Sequence, residues 1–217
     1  MSNFSKNKII TTVTPLRISI FGGGTDLPYF IKKNGYGKVM NFSIDKYIYT
    51  FAKIQSKIFN EKYRFNYHQT ENVNEIEEIK NNIIRNSIKY YKYKKPLYVA
   101  TISDIPAGTG MGSSGAFQVS ICKILNILMK NKKKNNFQLA DEASEIEMSM
   151  TKSEAGYQDQ YSAAFGGFNE YTFYNNSKAS LKKLNKKSHL DFIKLLTNNS
   201  LLIYTNKNRK AKNILKK

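Results

Sequence analysis

The segment Ile105-Pro106-Ala107-Gly108-Thr109-Gly110-Met111-Gly112-Ser113-Ser114-Gly115 concentrates residue types that can hold an anion. Glycines at the alternate positions 108, 110 and 112 let the backbone curl until successive N–H groups aim at one point. A helix starting at the serines would add the positive end of its dipole. A serine hydroxyl at that place can also ligate a magnesium ion carried by phosphates. A plain Gly/Ser turn, with Ser113 as helix N-cap, accounts for the serine but not for three alternating glycines.

Two better-known phosphate loops fail on context. The loop lacks the lysine of a Walker A motif. Gly110-x-Gly112-x-x-Gly115 formally satisfies the dinucleotide fingerprint, which needs an acid about 20 residues on to meet a ribose. That region reads Asn131-Lys132-Lys133-Lys134-Asn135-Asn136 and offers none.

A second glycine cluster, Phe21-Gly22-Gly23-Gly24-Thr25-Asp26, follows an apolar stretch. Glycines there can bring backbone close to a ligand while the Asp26 carboxylate accepts hydrogen bonds from sugar hydroxyls. A turn with Asp26 as a helix cap is the alternative. Arg17 lies on the preceding strand among apolar residues, where an unpaired guanidinium is costly. It needs an acid, and Asp159 is the candidate. Glu147 shares a helical face with Ala140, Ala143 and Ser144, so it turns inward toward a cation, whereas Asp141 and Glu145 point away. A lysine salt bridge would satisfy Glu147 equally. Cys122, on an apolar helix face, reads as core packing.

The elements that must position these residues follow from periodicity. Strands are expected at Ile9–Ile20, Val39–Ile44, Tyr47–Ile54, Phe59–Tyr67, Leu97–Ser103 and Gly167–Tyr174. Helices are expected at Glu75–Lys92, where Ile76, Ile79, Ile83, Ile84 and Ile88 form a stripe, at Ser113–Met129 and Phe137–Met150, and briefly within Gly156–Phe165. Strands come first and helices later, an α+β arrangement. Composition shifts over Asn175–Asn199, which places a domain boundary at about residue 180. A strand at Leu201–Thr205 and a helix from Arg209 would open a second, incomplete domain over residues 181–217.

The 217 residues carry a net charge of +19, nearly all from lysine, with arginine only at 17, 64, 85 and 209. Such a charge permits nucleic-acid binding. Lysines scattered among Asn and Ile read more simply as compositional bias. The single cysteine excludes an intramolecular disulfide framework and a cysteine-based zinc cluster. No signal-peptide core and no membrane-length apolar run is present, so a cytoplasmic location is expected.

The residues Pro106, Gly108, Gly110, Gly112, Ser113 and Ser114 resemble the ATP-binding motif of the GHMP kinases. Thr14–Asp26 is similar to that family's first motif, in the Gly-Gly-Gly-Thr-Asp form of its D-glycero-D-manno-heptose 7-phosphate kinase branch and their fucokinase-like relatives. Glu154–Gly167 looks like the segment that supplies the family's catalytic aspartate. The resemblance spans about Ile9 to Tyr174, and the family's third glycine-rich motif is absent.

What the resemblance implies is a ribosomal-protein-S5-like N-terminal domain acting in an ATP-dependent sugar-phosphate kinase. Asp159 would be the catalytic acceptor supported by Arg17. The loop at 106–114 would hold ATP, Ser114 and Glu147 would share Mg2+, and Gly23, Gly24, Thr25 and Asp26 would meet the substrate. The implied partners are ATP and a sugar phosphate, in a pathway to bacterial surface polysaccharide. Three other readings stay open: an L-fucose kinase-like enzyme, an inactive remnant (Asn206 stands where relatives carry Gly), and an RNA-binding S5-like module. The remaining residues are too few for a second core, so weak or no turnover and local disorder after about Asn175 are expected of this chain alone.

Overall fold

In a computed structural model, which describes residues 8–150 and 155–204, one mixed sheet carries the helices. Its strands are β1 (Ile10–Phe21), β2 (Tyr36–Ile54), β3 (Tyr63–Asn66), β4 (Thr70–Val73), β5 (Leu97–Ser103), β6 (Phe168–Tyr174) and β7 (Ala179–Lys183). Their order is β4-β3-β5-β2-β6-β7, with β1 paired to β2. The helices are α1 (Pro28–Asn34), α2 (Asn82–Tyr90), α3 (Ser113–Leu128), α4 (Asn136–Glu145), α5 (Gln158–Phe165) and α6 (Lys187–Asn199). The α+β class expected from the sequence holds.

β2 is one strand of 19 residues where two were expected. Its N-terminal half pairs with β6 and its C-terminal half with β5, while β1 runs antiparallel along the other side. Continuity comes from these three neighbours rather than from local propensity. The β1 register shifts between Pro15 and Arg17 and again between Ser19 and Phe21. Such bulges re-aim side chains, and here the consecutive residues Leu16 and Arg17 are both buried.

α3 is the hub: it packs on α2, α4, α5, β1 and β2. Its buried residues run nearly all round, from Gly115 to Leu128, as a sequence apolar on almost every side requires. The expected helix Glu75–Lys92 is split into a 3-10 turn at Ile76–Glu78 and α2. The break is chemical. The buried Glu71 carboxylate accepts from Lys80 N (2.6 Å) and Asn81 N (3.1 Å), and the Asn81 side chain then caps α2 through Ile84 N (3.1 Å).

β7 pairs antiparallel with β6, so residue 180 lies within a strand of this sheet. α6 follows, with Phe192 stacked on Phe168 at 6.5 Å between ring centroids. Regular structure thus continues past Asn175, where disorder was expected. Residues 201–204 adopt no regular structure where a strand was expected. Thr205, Asn206, the helix from Arg209 and Glu154 lie outside the described residues. Leu201, Leu202, Ile203 and Tyr204 are all largely exposed.

Candidate active site

The sequence demanded an acid for Arg17, and the fold supplies Asp159 from 142 positions away. Arg17 Nε donates to Asp159 Oδ1 at 2.9 Å, and Nη2 makes a second, ionic contact to the same oxygen. Nη1 donates to the Gly110 carbonyl at 2.7 Å, and the Arg17 backbone N–H donates to the Met111 carbonyl at 3.1 Å. One buried guanidinium therefore locks three segments together: the bulged strand β1, the glycine loop, and the first turn of α5.

The loop has the conformation that its glycines permit. Gly108, Gly110 and Gly112 have φ of 81°, 80° and 74°, in the left-handed region that costs other residues about 1–2 kcal/mol. Gly112, not Ser113, is the N-cap position of α3, and it makes no side-chain cap bond. Ser113 is half-buried and Ser114 exposed at the first turn of α3; Pro106 and Gly108 are exposed. A Cβ on Gly115 would stand 2.6 Å from Asp159 Cβ. The N-terminal turn of α3 therefore abuts Asp159 only because residue 115 has no side chain.

The first glycine cluster serves a different end. Thr25 Oγ1 has the carbonyls of Gly22 (2.8 Å) and Lys38 (2.7 Å) within reach of its single proton and accepts from Lys38 N (3.0 Å). Asp26 is buried, taking Gly24 N at 3.2 Å and Gln158 N at 3.0 Å on its two oxygens. Burial raises the Asp26 pKa, and the Gln158 N–H bond opposes the shift. Asp26 thus ties the loop to the start of α5, next to Asp159. Thr25 and Asp26, expected to meet substrate, have their polar atoms bonded within the fold, while Gly23 lines the cleft.

That cleft, about 590 Å³, runs between Arg17, Ser19, Gly23, Thr109, Gly110 and Gln158, with Leu202 against it. Ser19 Oγ, Thr109 Oγ1 and Gln158 Oε1 are buried without a hydrogen-bond partner in the protein. Sequence reasoning passed over these three. Their signal was the polar residue type at each motif's edge, and it points nowhere until the loops meet.

Glu147 sits on a π-helical turn, Ile146–Met150, where the helix was expected to run straight on. π turns often mark functional positions. Glu147 accepts a hydrogen bond from Gln160 Nε2. Burial raises its pKa to about 7, the Asp159 charge adds to the rise, and the Gln160 bond opposes it. Asp141 and Glu145 are exposed, as expected. Cys122 is buried in the core, its thiol pushed up to about 12 by burial. Among the described residues no group of three or more His, Cys, Asp or Glu is gathered as metal ligands. No helix among them is long and apolar enough to cross a membrane.

Comparison with known proteins agrees with this geometry. Residues 78–167 match the family described as GHMP kinases N terminal domain. The chain is 35% identical over 219 residues to a D-glycero-alpha-D-manno-heptose 7-phosphate kinase of Campylobacter jejuni, covering 95% of this chain and 62% of that protein. A D-glycero-D-manno-heptose 1-phosphate kinase from Bacteriodes thetaiotaomicron superposes with a TM-score of 0.71 at 25% identity, over 83% of this chain and 61% of that one. A Methanococcus jannaschii mevalonate kinase, TM-score 0.62 at 19% identity over 85% of this chain and 58% of that one, shares the fold. The chain thus spans about three fifths of the length of these relatives. The left-handed glycine loop and Asp159 both fall within residues 78–167, the part of the chain that is similar to the GHMP kinase N-terminal domain.

Proposed function

We propose that this domain works in an ATP-dependent kinase that phosphorylates the anomeric hydroxyl of D-glycero-D-manno-heptose 7-phosphate. One observation carries the reading: Arg17 bonds Asp159 and the Gly110 carbonyl at once, so a candidate proton acceptor is fixed beside the glycine loop. The heptose assignment follows the Campylobacter jejuni relative.

The chemistry asks for alignment and charge neutralisation. Backbone N–H groups around Gly110 and Gly112 and the first turn of α3 receive the nucleotide phosphates. The acceptor hydroxyl approaches Asp159, which takes its proton as the oxygen bonds to the γ-phosphorus. The bond from that phosphorus to the bridging oxygen breaks, and ADP leaves with the electron pair. Ser19, Thr109 and Gln158 bring polar side chains to the lining that a sugar would meet. Gly23 gives the substrate close access to backbone.

Mg2+ binds through one or two carboxylates plus phosphate oxygens, and Glu147 and Ser114, each beside Asp159's surroundings, offer hard oxygen donors of that kind. Bound there, it would supply charge neutralisation on the phosphates. Ser114→Ala and Glu147→Gln should each raise the magnesium concentration at half-maximal rate, and an unchanged midpoint in both removes the assignment. We place the enzyme in the cytoplasm, where ATP is available, on a route to surface polysaccharide.

The assay is ADP release with heptose 7-phosphate, heptose 1-phosphate and L-fucose, using a version extended to the relatives' length. Turnover on the 7-phosphate, with a new anomeric phosphate by phosphorus NMR, supports the reading; preference for L-fucose replaces it. The chain alone should turn over weakly. RNA binding that weakens steeply with salt, without ADP release, would favour the RNA-binding reading.

A further inference from the structure

The part of the sheet built from β1, the C-terminal half of β2, β5 and β3 has two unlike faces. On one, Ile10, Ile48, Ala52, Leu97 and Val99 join residues of α2 and α3 in the core. Strand alternation turns their neighbours the other way. The registers set those neighbours in rows: Val13 beside Tyr49 and Tyr49 beside Ile102, then Thr11 beside Phe51 and Phe51 beside Ala100. These two rows contain no charged residue. Ile9, Val13 and Ile102 are 65%, 54% and 61% exposed, and Tyr49 and Phe51 are half-buried. Tyr47 continues the β2 column, its ring 6.1 Å from that of Tyr49.

Charges flank this block at both ends, and the ends differ in sign. Past Phe51, Lys53 pairs with Tyr98, and Arg64 lies over the Tyr98 ring at 5.7 Å. Glu61, 3.7 Å from Arg64, offsets one of these two cations. Past Tyr47 come Asp45 and Asp104, both exposed, with Lys46 as the base between Asp45 and Tyr47. Asp104 accepts from Tyr47 N at 2.8 Å. The Asp45 charge and its hydrogen bond raise the Tyr47 pKa, which sets the Asp45 carboxylate beside the Tyr47 phenol. Asp45 and Lys53 thus stand four residues to either side of Tyr49 on one strand.

We propose that this face docks a second copy of the chain, sheet against sheet, about a two-fold axis that lies between the sheets, runs perpendicular to β2 and passes Tyr49. Such an axis reverses β2 against its mate. Asp45 of each copy then meets Lys53 of the other, and the row Val13, Tyr49, Ile102 meets itself. A two-fold interface must be self-complementary. An apolar centre with one basic and one acidic end has that property, whereas a rim of one sign would repel its own copy. Contiguous exposed apolar surface rimmed by charge marks an interaction site. A nucleic acid laid on the same face would run onto the Asp45 and Asp104 carboxylates. None of these residues lines the Arg17–Asp159 cleft, so docking here does not occupy it. Strand spacing and rise make the patch about 20 Å on a side. That is at the small end of specific interfaces, and a dissociation constant of about 1–100 μM is expected.

Sedimentation velocity of this chain from about 1 to 500 μM at low salt follows self-association alone, so its outcome is independent of the kinase reading. The parent should pass from monomer to dimer across that range. Val13→Lys and Ile102→Lys, both at exposed positions, should each weaken association at least about tenfold while keeping the parental circular dichroism spectrum. The decisive arm is a charge swap. Lys53→Glu and Asp45→Lys should each abolish the homodimer, because like charges then face each other twice. An equimolar mixture of the two restores both opposite-charge contacts and should dimerise within about threefold of the parent. A monomer throughout the range would overturn the proposal, as would a dimer that neither apolar variant weakens. Two charge variants that stay monomeric when mixed would also overturn it, since the reversed arrangement requires them to pair.

Discussion

The two glycine clusters have similar composition and opposite physical logic. At Gly22 an added Cβ would lie 2.0 Å from the Lys38 carbonyl oxygen, and at Gly37, across the same contact, 1.8 Å from the Thr25 carbonyl oxygen. This loop is pressed onto β2, with its Thr25 and Asp26 side chains bonded inward. At Gly110 nothing lies within 4 Å of an added Cβ, and at Gly112 the nearest atoms, 3.2–3.4 Å away, belong to the Arg17 side chain. The first loop needs glycine because the protein is already there. The second needs it for backbone conformation and leaves its surface toward the cleft. Glycine content alone does not separate a loop packed onto its own fold from one that leaves its backbone open to a cleft.

Substitutions can break that contrast. Gly22→Ala should be the more damaging, costing more than about 3 kcal/mol, because a backbone clash adds to a left-handed φ. Urea unfolding measures it, and a loss below about 1 kcal/mol would mean that the loop yields easily. Gly110→Ala should cost only the conformational term, about 1–2 kcal/mol. Nucleotide affinity should nonetheless fall about tenfold, since the N–H groups no longer converge. Calorimetric titration with a non-hydrolysable ATP analogue tests this; unchanged affinity would separate the loop from nucleotide binding.

A smaller effect sharpens the comparison at Glu147, whose charge interacts with that of Asp159. The Glu147 pKa is raised from 4.5 to about 7 by burial. The folded state therefore binds the proton more tightly than the unfolded state, and stability is lost as pH rises through that window. Glu147→Gln should flatten the pH dependence of unfolding free energy between about pH 4.5 and 7, most visibly without Mg2+. An unaltered slope would mean that Glu147 titrates normally.

Much of this was legible from sequence where one segment sufficed. β5 and the buried α3 follow from their largely apolar sequences, and the Arg17 partnership followed from the cost of a guanidinium on an apolar strand. The pairing could be foreseen because only an acid resolves it. What escaped was set by distant backbone. The Asp26 carboxylate caps Gln158 N across 132 positions. The unity of β2 depends on its pairing with β6 and β5. The split before α2 depends on Glu71, and the π turn at Ile146–Met150 places Glu147 against Gln160 on α5. Residues 201–204 had strand propensity, but no strand partner pairs with them among the described residues.

The central claim is that Asp159, held by Arg17 against the phosphate loop, accepts the proton in phosphoryl transfer. The direct measurement is ADP release and nucleotide affinity for Asp159→Asn in the version extended to the relatives' length. Turnover should fall by about 10²–10⁴-fold, with nucleotide affinity within about threefold of the parent, because the loop's own N–H groups are untouched. Near-parental turnover would contradict the account and leave Asp159 as an anchor for Arg17.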